Sequence, residues 1–168
     1  MSSVSYNWHV VYTNPRAEKR VYQLLEKNRI EAFLPLKKTL KLWSDRKKWV
    51  EEPLFNSYVF VFVSEKEYMQ VLQIPGIVRY ITFSGKAATV PAAQIELIRR
   101  LLMSDAEMEI SRHVFKPGER VKVNAGQLMG LEGELVSLHS EKRLLVRIHE
   151  MDRSLLLNIS AAFLEPAR

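Results

Sequence analysis

The 168-residue chain contains no cysteine. This absence excludes a disulfide framework, thiolate zinc sites, iron–sulfur ligation and a cysteine nucleophile. No apolar run approaches the roughly 18 residues that a membrane span needs, and the N-terminus lacks the basic start and apolar core of a secretory signal. We therefore expect a cytoplasmic protein without membrane contacts. With 47% apolar and 26% charged residues, the composition fits a globular chain of one medium domain or two small ones.

No catalytic or cofactor-binding pattern is found in the sequence. The histidines are scattered, and none pairs with an acidic residue at metal-ligand spacing; they are His9, His113, His139 and His149. The serines lack a nucleophile elbow, and no glycine is followed by the Gly-Lys-Ser/Thr of a phosphate-binding loop. We therefore expect no metal, no cofactor and no enzymatic activity.

Positive charge is concentrated in residues 37–49. This segment has six basic residues and one acidic residue, which accounts for +5 of the formal net charge of +6. The basic residues are Lys37, Lys38, Lys41, Arg46, Lys47 and Lys48. Together with the interleaved Trp43 and Trp49, they suit a phosphate backbone with bases nearby for stacking. The alternative is a solvated hairpin whose lysines only keep an edge strand soluble.

The first part of the chain alternates strand and helix patterns. The patterns predict strands at 8–13, 30–36, 58–63 and 77–83, and helices at 15–28, 64–72 and 91–103. Asn14 is the predicted cap of the first helix, with Pro15 at its first position. The basic segment is predicted to form a hairpin that turns at Ser44-Asp45. Since run 58–63 is apolar throughout, it should be a central strand. This order predicts an α+β sandwich of the ferredoxin-like kind over residues 1–104.

The remainder of the chain is predicted to be a linker, residues 105–113, and a second domain, residues 114–168. Short apolar runs separated by glycine or polar turns predict a small antiparallel β-barrel. The runs near Leu135 and Leu144 also fit a helical template, but Gly130 and Gly133 disfavour a helix by roughly 1 kcal/mol each. We therefore predict the barrel, with Gly126, Gly130 and Gly133 at tight turns and a bulge that require positive φ.

Several longer motifs occur in a fixed order along the chain. They are WHVVYTNPRAEK (8–19), EEPLFNSYVFVFV (51–63), PGIVRYITF (75–83) and FKPGERVKVNAGQLMGLEGELV (115–136). Together they resemble the NusG family of transcription elongation factors. The first is similar to the opening strand and helix of the family's N-terminal domain, and the second to its phenylalanine-proline-glycine-tyrosine segment. The last is similar to the KOW motif, with its three glycines in place.

The resemblance implies that an apolar hollow in the N-terminal domain binds the clamp helices of RNA polymerase and suppresses pausing or termination. The residues implied for this hollow are Trp8, Tyr12, Leu54, Phe55 and Tyr58; the alternative is that these side chains are simply core. The resemblance also implies contact with upstream or non-template DNA by the first helix and its neighbours, with the basic hairpin as a second site. The implied residues there are Arg16, Lys19, Arg20, Lys27 and Arg29, which could otherwise be solvated charges. A monomer is expected.

Three departures from the family pattern indicate a specialised paralogue of the RfaH or UpxY type, serving particular operons such as polysaccharide loci. Asn56-Ser57 replaces Pro-Gly, and Gln127-Leu128 replaces proline-phenylalanine. Glu150-Met151-Asp152 stands where the family has an apolar-aromatic-glycine tip, which should weaken binding to Rho or a ribosomal protein. The alternatives are a housekeeping NusG and a ribosome-associated RNA-binding protein that uses the KOW-like domain.

Overall fold

The computed structural model describes residues 3–138, 140–148, 151 and 153–167. The fold is mixed α/β, with many strands and few helices. The chain divides into two compact units, Met1–Ile98 and Arg99–Arg168. Among the described residues, none of the helices has the length and apolar character required to cross a membrane.

The first unit is built around an antiparallel sheet. Its strands are β1 (Asn7–Thr13), β2 (Glu31–Phe33), β3 (Leu36–Leu42), β4 (Lys47–Pro53), β5 (Tyr58–Val63), β6 (Ile77–Tyr80), β7 (Thr82–Phe83), β8 (Lys86–Ala87) and β9 (Thr89–Val90). The helices are α1 (Glu18–Lys27), α2 (Tyr68–Leu72) and α3 (Ala92–Met103), the last of which crosses the boundary between the units. The main sheet has the order β2-β5-β1-β6, and β9 also pairs with β1. The hairpins β3–β4 and β7–β8 form separate two-stranded sheets.

The two faces of the main sheet have different compositions because successive side chains of a strand point to opposite sides. Aliphatic residues of β1 and β5 form one buried cluster with residues of α1 and α2: Val11, Val59, Val61, Val63, Val21, Leu25 and Val71. The other face has mainly aromatic residues on the same strands. The predicted central position of run 58–63 is confirmed, since β5 lies between β2 and β1.

The predicted start of the first helix is wrong. Asn14 does not cap it and Pro15 is not its first residue, because α1 begins at Glu18 with Ala17 as its cap residue. Between them, Arg16 has a φ of 63°, in the left-handed region, which no helical residue adopts. The carbonyl of Asn14 accepts instead from the Ala17 N–H at 3.1 Å, which closes a turn before the helix.

Two predicted strands are each divided in the structure. The segment 30–36 splits into β2 and β3 around Leu34 and Pro35. Proline has no N–H to give to a ladder, and the carbonyl of Pro35 instead accepts from the N–H of Leu54 at 2.8 Å. The segment 77–83 splits into β6 and β7, and β7 pairs with β8 rather than with the main sheet. The predicted turn at Ser44-Asp45 is confirmed by the β3–β4 hairpin.

The second unit contains an antiparallel sheet. Its strands are β10 (Glu107–Ser111), β11 (Glu119–Val123), β12 (Glu132–Leu138), β13 (Glu141–Ile148), β14 (Arg153–Asn158) and β15 (Leu164–Pro166), in the order β10-β14-β13-β12-β11-β15. A short 3-10 helix spans Ala161–Phe163. Residues 107–111 lie within the predicted linker but form β10 and pair with β14. Polar alternation at a sheet edge was therefore mistaken for a linker.

The glycines of the second unit have two different roles. Gly126 and Gly130 have φ values of 83° and 92°, which confirms the prediction of positive φ for these two. For Gly133 the prediction is wrong, since this residue lies within β12 opposite Val121. A Cβ at position 133 would lie 2.6 Å from the carbonyl oxygen of Leu145, so the need for glycine there is close backbone approach. The strand pair β12–β13 is the structure adopted in place of the helical alternative.

Candidate functional site

The aromatic face of the main sheet is formed by cross-strand pairs. Trp8 lies opposite Phe62, and Tyr12 opposite Tyr58, with Phe60 of β5 between them. The Trp8 and Phe62 ring centroids are 5.2 Å apart, and those of Tyr12 and Tyr58 are 5.7 Å apart in an edge-on arrangement. We name this surface, together with Phe33 of β2 and the Phe55 ring that packs on Phe60, the aromatic face.

Burial differs among the five residues predicted to line a hollow. Trp8, Leu54 and Phe55 are buried, and Phe55 retains only 2% of its accessible surface. For these three, the burial supports the alternative that they are core residues. The Phe55 ring packs edge-on against fully buried Phe60, with 6.3 Å between the centroids, so it belongs to the core. Phe55 lies next to a loop in the sequence, and that position did not indicate that its side chain is buried.

Tyr12 and Tyr58 are the partly exposed members of the predicted set. They lie at one end of the β1–β5 ladder, just beyond the turn that contains residues 56 and 57. The guanidinium of Arg79, from β6, lies over the Tyr12 ring at 5.4 Å from its centroid. This cation–π contact and the Tyr58 ring hold Tyr12 in place. The pair therefore presents ordered aromatic surface with a positive charge beside it.

The turn before Tyr58 depends on a buried carboxylate. Glu18, the first residue of α1, is buried, and its Oε1 accepts from the backbone N–H of Ser57 at 2.8 Å. The carbonyl of Ser57 accepts from the N–H of Thr13 at 2.8 Å. Ser57 has a φ of 66°, so the residue in the left-handed conformation is the one that replaces glycine of the family pattern.

The basic residues of α1 and its flanks lie on the surface. All five predicted side chains are exposed: Arg16, Lys19, Arg20, Lys27 and Arg29. The Lys19 ammonium donates to the carbonyl of Glu51 in β4 at 2.6 Å, so this residue ties α1 to the base of the basic hairpin. The exposure of these cations is compatible with phosphate contact. Contacts within the chain do not show whether a phosphate binds there.

The six basic residues of the hairpin are divided between its two faces and its turn. Lys37, Lys41 and Lys48 share one face with Glu52, and Lys41 forms an ion pair with that carboxylate at 2.8 Å. On the opposite face, Lys38 and Lys47 are exposed beside apolar residues. At the turn, the guanidinium of Arg46 lies over the Trp43 ring at 4.9 Å from its centroid.

In the second unit, an ion pair fixes the segment before β11. Arg147 Nε donates to Glu134 Oε2 at 2.6 Å, and its Nη2 donates to the carbonyl of Phe115 at 3.0 Å. Glu134 Oε1 also accepts from the N–H of Gly118 at 3.1 Å. The hydrogen bond from Arg147 holds the pKa of Glu134 below its ordinary value, and the same contact raises the pKa of Arg147. Sequence reasoning missed this pair, since thirteen positions separate the two residues in sequence.

The departure at Gln127 has a structural partner. Its Oε1 accepts from the N–H of Asp105 at 2.9 Å, and Arg100 donates to the carbonyls of Gln127 and Met129. These bonds attach the glycine turn of 124–130 to the start of the second unit. Of the tip predicted to replace apolar anchors, Glu150 and Asp152 lie outside the described residues, while Met151 is buried. His139 and His149 also lie outside the described residues.

The part of the chain that the structure describes holds no group of three or more His, Asp or Glu side chains positioned to bind a metal ion. His9 has its Nδ1 at 3.0 Å from the carbonyl oxygen of Ala88 and its ring edge-on to Tyr80. It is therefore a partnered residue of the sheet. The candidate site is an aromatic and basic surface suited to binding macromolecules.

Comparisons with known proteins give the family of the chain. The family model described as "NusG: Transcription termination factor nusG" matches residues 6–99. The transcription termination/antitermination protein NusG of Chlamydia pneumoniae is 26% identical over 159 residues, covering 85% of each chain. The solved structure of Thermotoga maritima NusG matches with a TM-score of 0.60 and 21% identity over 98% of each chain, which supports the fold. Since the family model covers more than half of the chain, this protein belongs to the NusG family.

Proposed function

We propose that this protein is a transcription elongation and antitermination factor that binds the clamp helices of RNA polymerase through its first unit. It acts without catalysis or cofactor, in the cytoplasm and as a monomer. The observation that carries the proposal is the Tyr12–Tyr58 pair at the exposed end of the aromatic face, within the region that the NusG family model matches. Partly exposed tyrosines supply large contact area and a polar tip, the properties of residues that dominate protein interfaces.

The buried members of the predicted set pack in the core and support the surface formed by Tyr12 and Tyr58. Trp8, Leu54 and Phe55 make no direct contact with the polymerase in this proposal, because little of their surface is accessible. They fix the sheet and the turn that hold Tyr58. Arg79 adds a positive charge next to Tyr12, which favours a partner helix with acidic residues.

We propose further that α1 and the basic hairpin contact upstream or non-template DNA. The exposed cations of α1 and the lysines of the hairpin supply charge for phosphate contact, which requires no sequence-specific hydrogen bonds. Their local excess of positive charge also accelerates association with a polyanion. Lys41 is excluded from the strongest candidates because Glu52 already neutralises it.

The departures from the family pattern favour a specialised paralogue that serves particular operons. Proline at position 127 would lack the side-chain oxygen that accepts from the Asp105 N–H. Serine at position 57 retains a turn that glycine would adopt more easily. Only the turn at Gln127 has a contact that depends on the replaced side chain, because residue 57 bonds through its backbone. Binding of Rho or a ribosomal protein by the second unit is weakened in this proposal, since the replaced tip carries acidic residues.

Two measurements test the proposal. Binding of the full-length chain to isolated clamp helices should weaken by about 1–2 kcal/mol or more for Tyr12→Ala and for Tyr58→Ala. In vitro transcription on the native leader, with and without the protein, should show shorter pauses and more read-through. An unrelated template should show a smaller effect if the chain is operon-specific, and an equal effect would assign it to the housekeeping class.

The controls separate contact from folding. Phe83→Ala removes an aromatic side chain that is 79% exposed on β7, and clamp binding should not change. Phe55→Ala is unsuitable as a contact probe, because truncating a buried phenylalanine costs about 3–5 kcal/mol of stability. Unchanged clamp affinity for both tyrosine variants would remove this surface as the polymerase site.

A further inference from the structure

Large apolar side chains lie exposed on one face of the β3–β4 hairpin. Leu40 lies directly opposite Trp49 in the ladder, and Leu42 follows two positions along β3 on the same side. Leu42 and Trp49 retain 69% and 67% of their accessible surface. We name these three residues the apolar stripe. Sequence reasoning identified the tryptophan and the charges, but it did not distinguish the two faces of the hairpin.

A solubilising role for the hairpin does not explain the apolar stripe. Lysines protect an exposed strand from edge-to-edge pairing, but that role places polar side chains on the solvent side. Here the solvent side has two leucines and a tryptophan adjacent to one another. Clustered exposed apolar residues with a polar rim mark binding surfaces, whereas single exposed ones need no explanation.

The charges around the apolar stripe are mainly positive. Lys38 and Lys47 lie on the same face, opposite Glu51 and Leu42 respectively. At the turn, Arg46 holds the exposed Trp43 by a cation–π contact. From Lys38 to Leu42 the strand rises about 14 Å. That length fits about four stacked nucleotides at about 3.4 Å each. An apolar stripe between cations is complementary to a strand with flat bases and regularly spaced phosphates.

We propose that the apolar stripe binds single-stranded DNA, with an unpaired base stacked on Trp49 and phosphates paired with Lys38 and Lys47. This deepens the proposed DNA contact and rests on it. In a duplex the base faces are covered by their neighbours, so stacking on an exposed indole requires an unpaired strand. The proposal thus gives the hairpin a preference for single-stranded over double-stranded DNA, which phosphate contact alone does not supply.

The chemistry of the apolar stripe favours DNA over RNA. Leu40 and Leu42 have no polar group to recognise a ribose 2′-hydroxyl, the group by which proteins distinguish RNA. Leu40 and Leu42 instead offer aliphatic surface to the methyl group of thymine, a contact that uracil lacks. We therefore expect the preferred ligand to be a thymine-containing single strand.

The experiment measures binding of the full-length chain to fluorescein-labelled oligothymidylate by anisotropy. Parallel arms use oligodeoxyuridylate, oligouridylate and the thymidylate–adenylate duplex. We expect the tightest binding to single-stranded oligothymidylate. Trp49→Ala should weaken this binding by about tenfold, with little change in duplex affinity. Trp49→Phe should retain most of the affinity, and Trp49→Leu, which keeps apolar area without a ring, should not.

A second set of variants separates charge from stacking. Lys38→Ala combined with Lys47→Ala should reduce the salt slope of single-strand binding by about 1.4, since each phosphate contact contributes about 0.7. Trp49→Ala should leave that slope unchanged. Phe83→Ala is the matched control for an exposed aromatic residue outside the hairpin, and oligothymidylate affinity should not change.

The remaining outcomes overturn the inference. Equal loss of single-strand and duplex affinity in Trp49→Ala would show that the ring acts through hairpin structure alone. Equal or tighter binding of oligouridylate would assign the site to RNA. Unchanged affinity in Trp49→Ala would remove stacking altogether. Because clamp binding is measured separately and does not involve the hairpin, its loss or retention distinguishes failure of the polymerase proposal from failure of this one.

Discussion

Replacing Ser57 by glycine should stabilise the first unit. Ser57 has a φ of 66°, a left-handed conformation that a Cβ makes unfavourable by about 1–2 kcal/mol. Its backbone is held there by hydrogen bonds to Glu18 Oε1 and from Thr13 N–H, both 2.8 Å long, which Ser57→Gly leaves in place. Glycine costs about 0.5–1 kcal/mol in additional unfolded-state entropy. The net expectation is a gain of about 0.5–1 kcal/mol.

Urea unfolding followed by tryptophan fluorescence measures this change in the first unit alone. All three tryptophans, Trp8, Trp43 and Trp49, lie before residue 98, and Trp8 is buried in the sheet. With a urea dependence of about 1–3 kcal/mol per molar, the midpoint should rise by about 0.2–1 M. The slope of the transition should not change.

The matched control is Ser57→Ala at the same position. Alanine removes the hydroxyl but keeps the Cβ, so the left-handed conformation stays unfavourable and the midpoint should not rise. An equal gain for both variants would mean that the hydroxyl, not backbone strain, was the cause. A loss of stability in Ser57→Gly would refute the reasoning. Clamp binding by Ser57→Gly should match the parent chain, since Tyr58 keeps its place after the turn.

The second unit gives two further predictions. Glu134→Gln should lower its stability at neutral pH by about 1.5–3 kcal/mol, the worth of a hydrogen bond to a charged group. Because Arg147 lowers the pKa of folded Glu134, the parent chain's contribution is present above the ordinary value of about 4.3 and is lost as the pH falls through the folded pKa. The stability of β12 and β13, measured by amide exchange, should therefore fall less steeply in the variant than in the parent chain below pH of about 4.3. Parallel pH dependences of the two proteins would contradict the pairing. Gly118→Ala should prevent native packing, because its Cβ would lie 2.3 Å from the carbonyl oxygen of Leu135. The control Gly126→Ala meets no atom within 4 Å and should cost only about 1 kcal/mol of stability. Circular-dichroism melts measure both variants, and equal losses of stability would refute the distinction.

Local patterns in the sequence predicted most of the elements of the first unit. The apolar run 58–63 predicted a central strand, and β5 is one. The charge-rich segment with a polar pair in its middle predicted a hairpin turning at Ser44-Asp45, and β3 and β4 form it. These predictions succeeded because strand alternation, turn residues and helix amphipathicity act between neighbours in the chain.

Boundaries and burial depended on tertiary contacts. α1 begins at Glu18, after the left-handed Arg16, and the Glu18 carboxylate accepts from the Ser57 N–H, 39 positions away. Residues 107–111 form a strand because β14 lies beside them, a partner that no local pattern reveals. The ordered family motifs gave the chain's family without fixing either of these contacts.

The candidate surfaces show the same division. The sequence by itself determined which side chains are aromatic or cationic, and hence the chemistry available for the proposed binding. Only the tertiary structure decided that Phe55 is buried while Tyr58 is partly exposed, and that Trp49 shares a face with Leu40. The physical reason is that exposure depends on which distant residues pack against a side chain, and packing is decided when the whole sheet assembles.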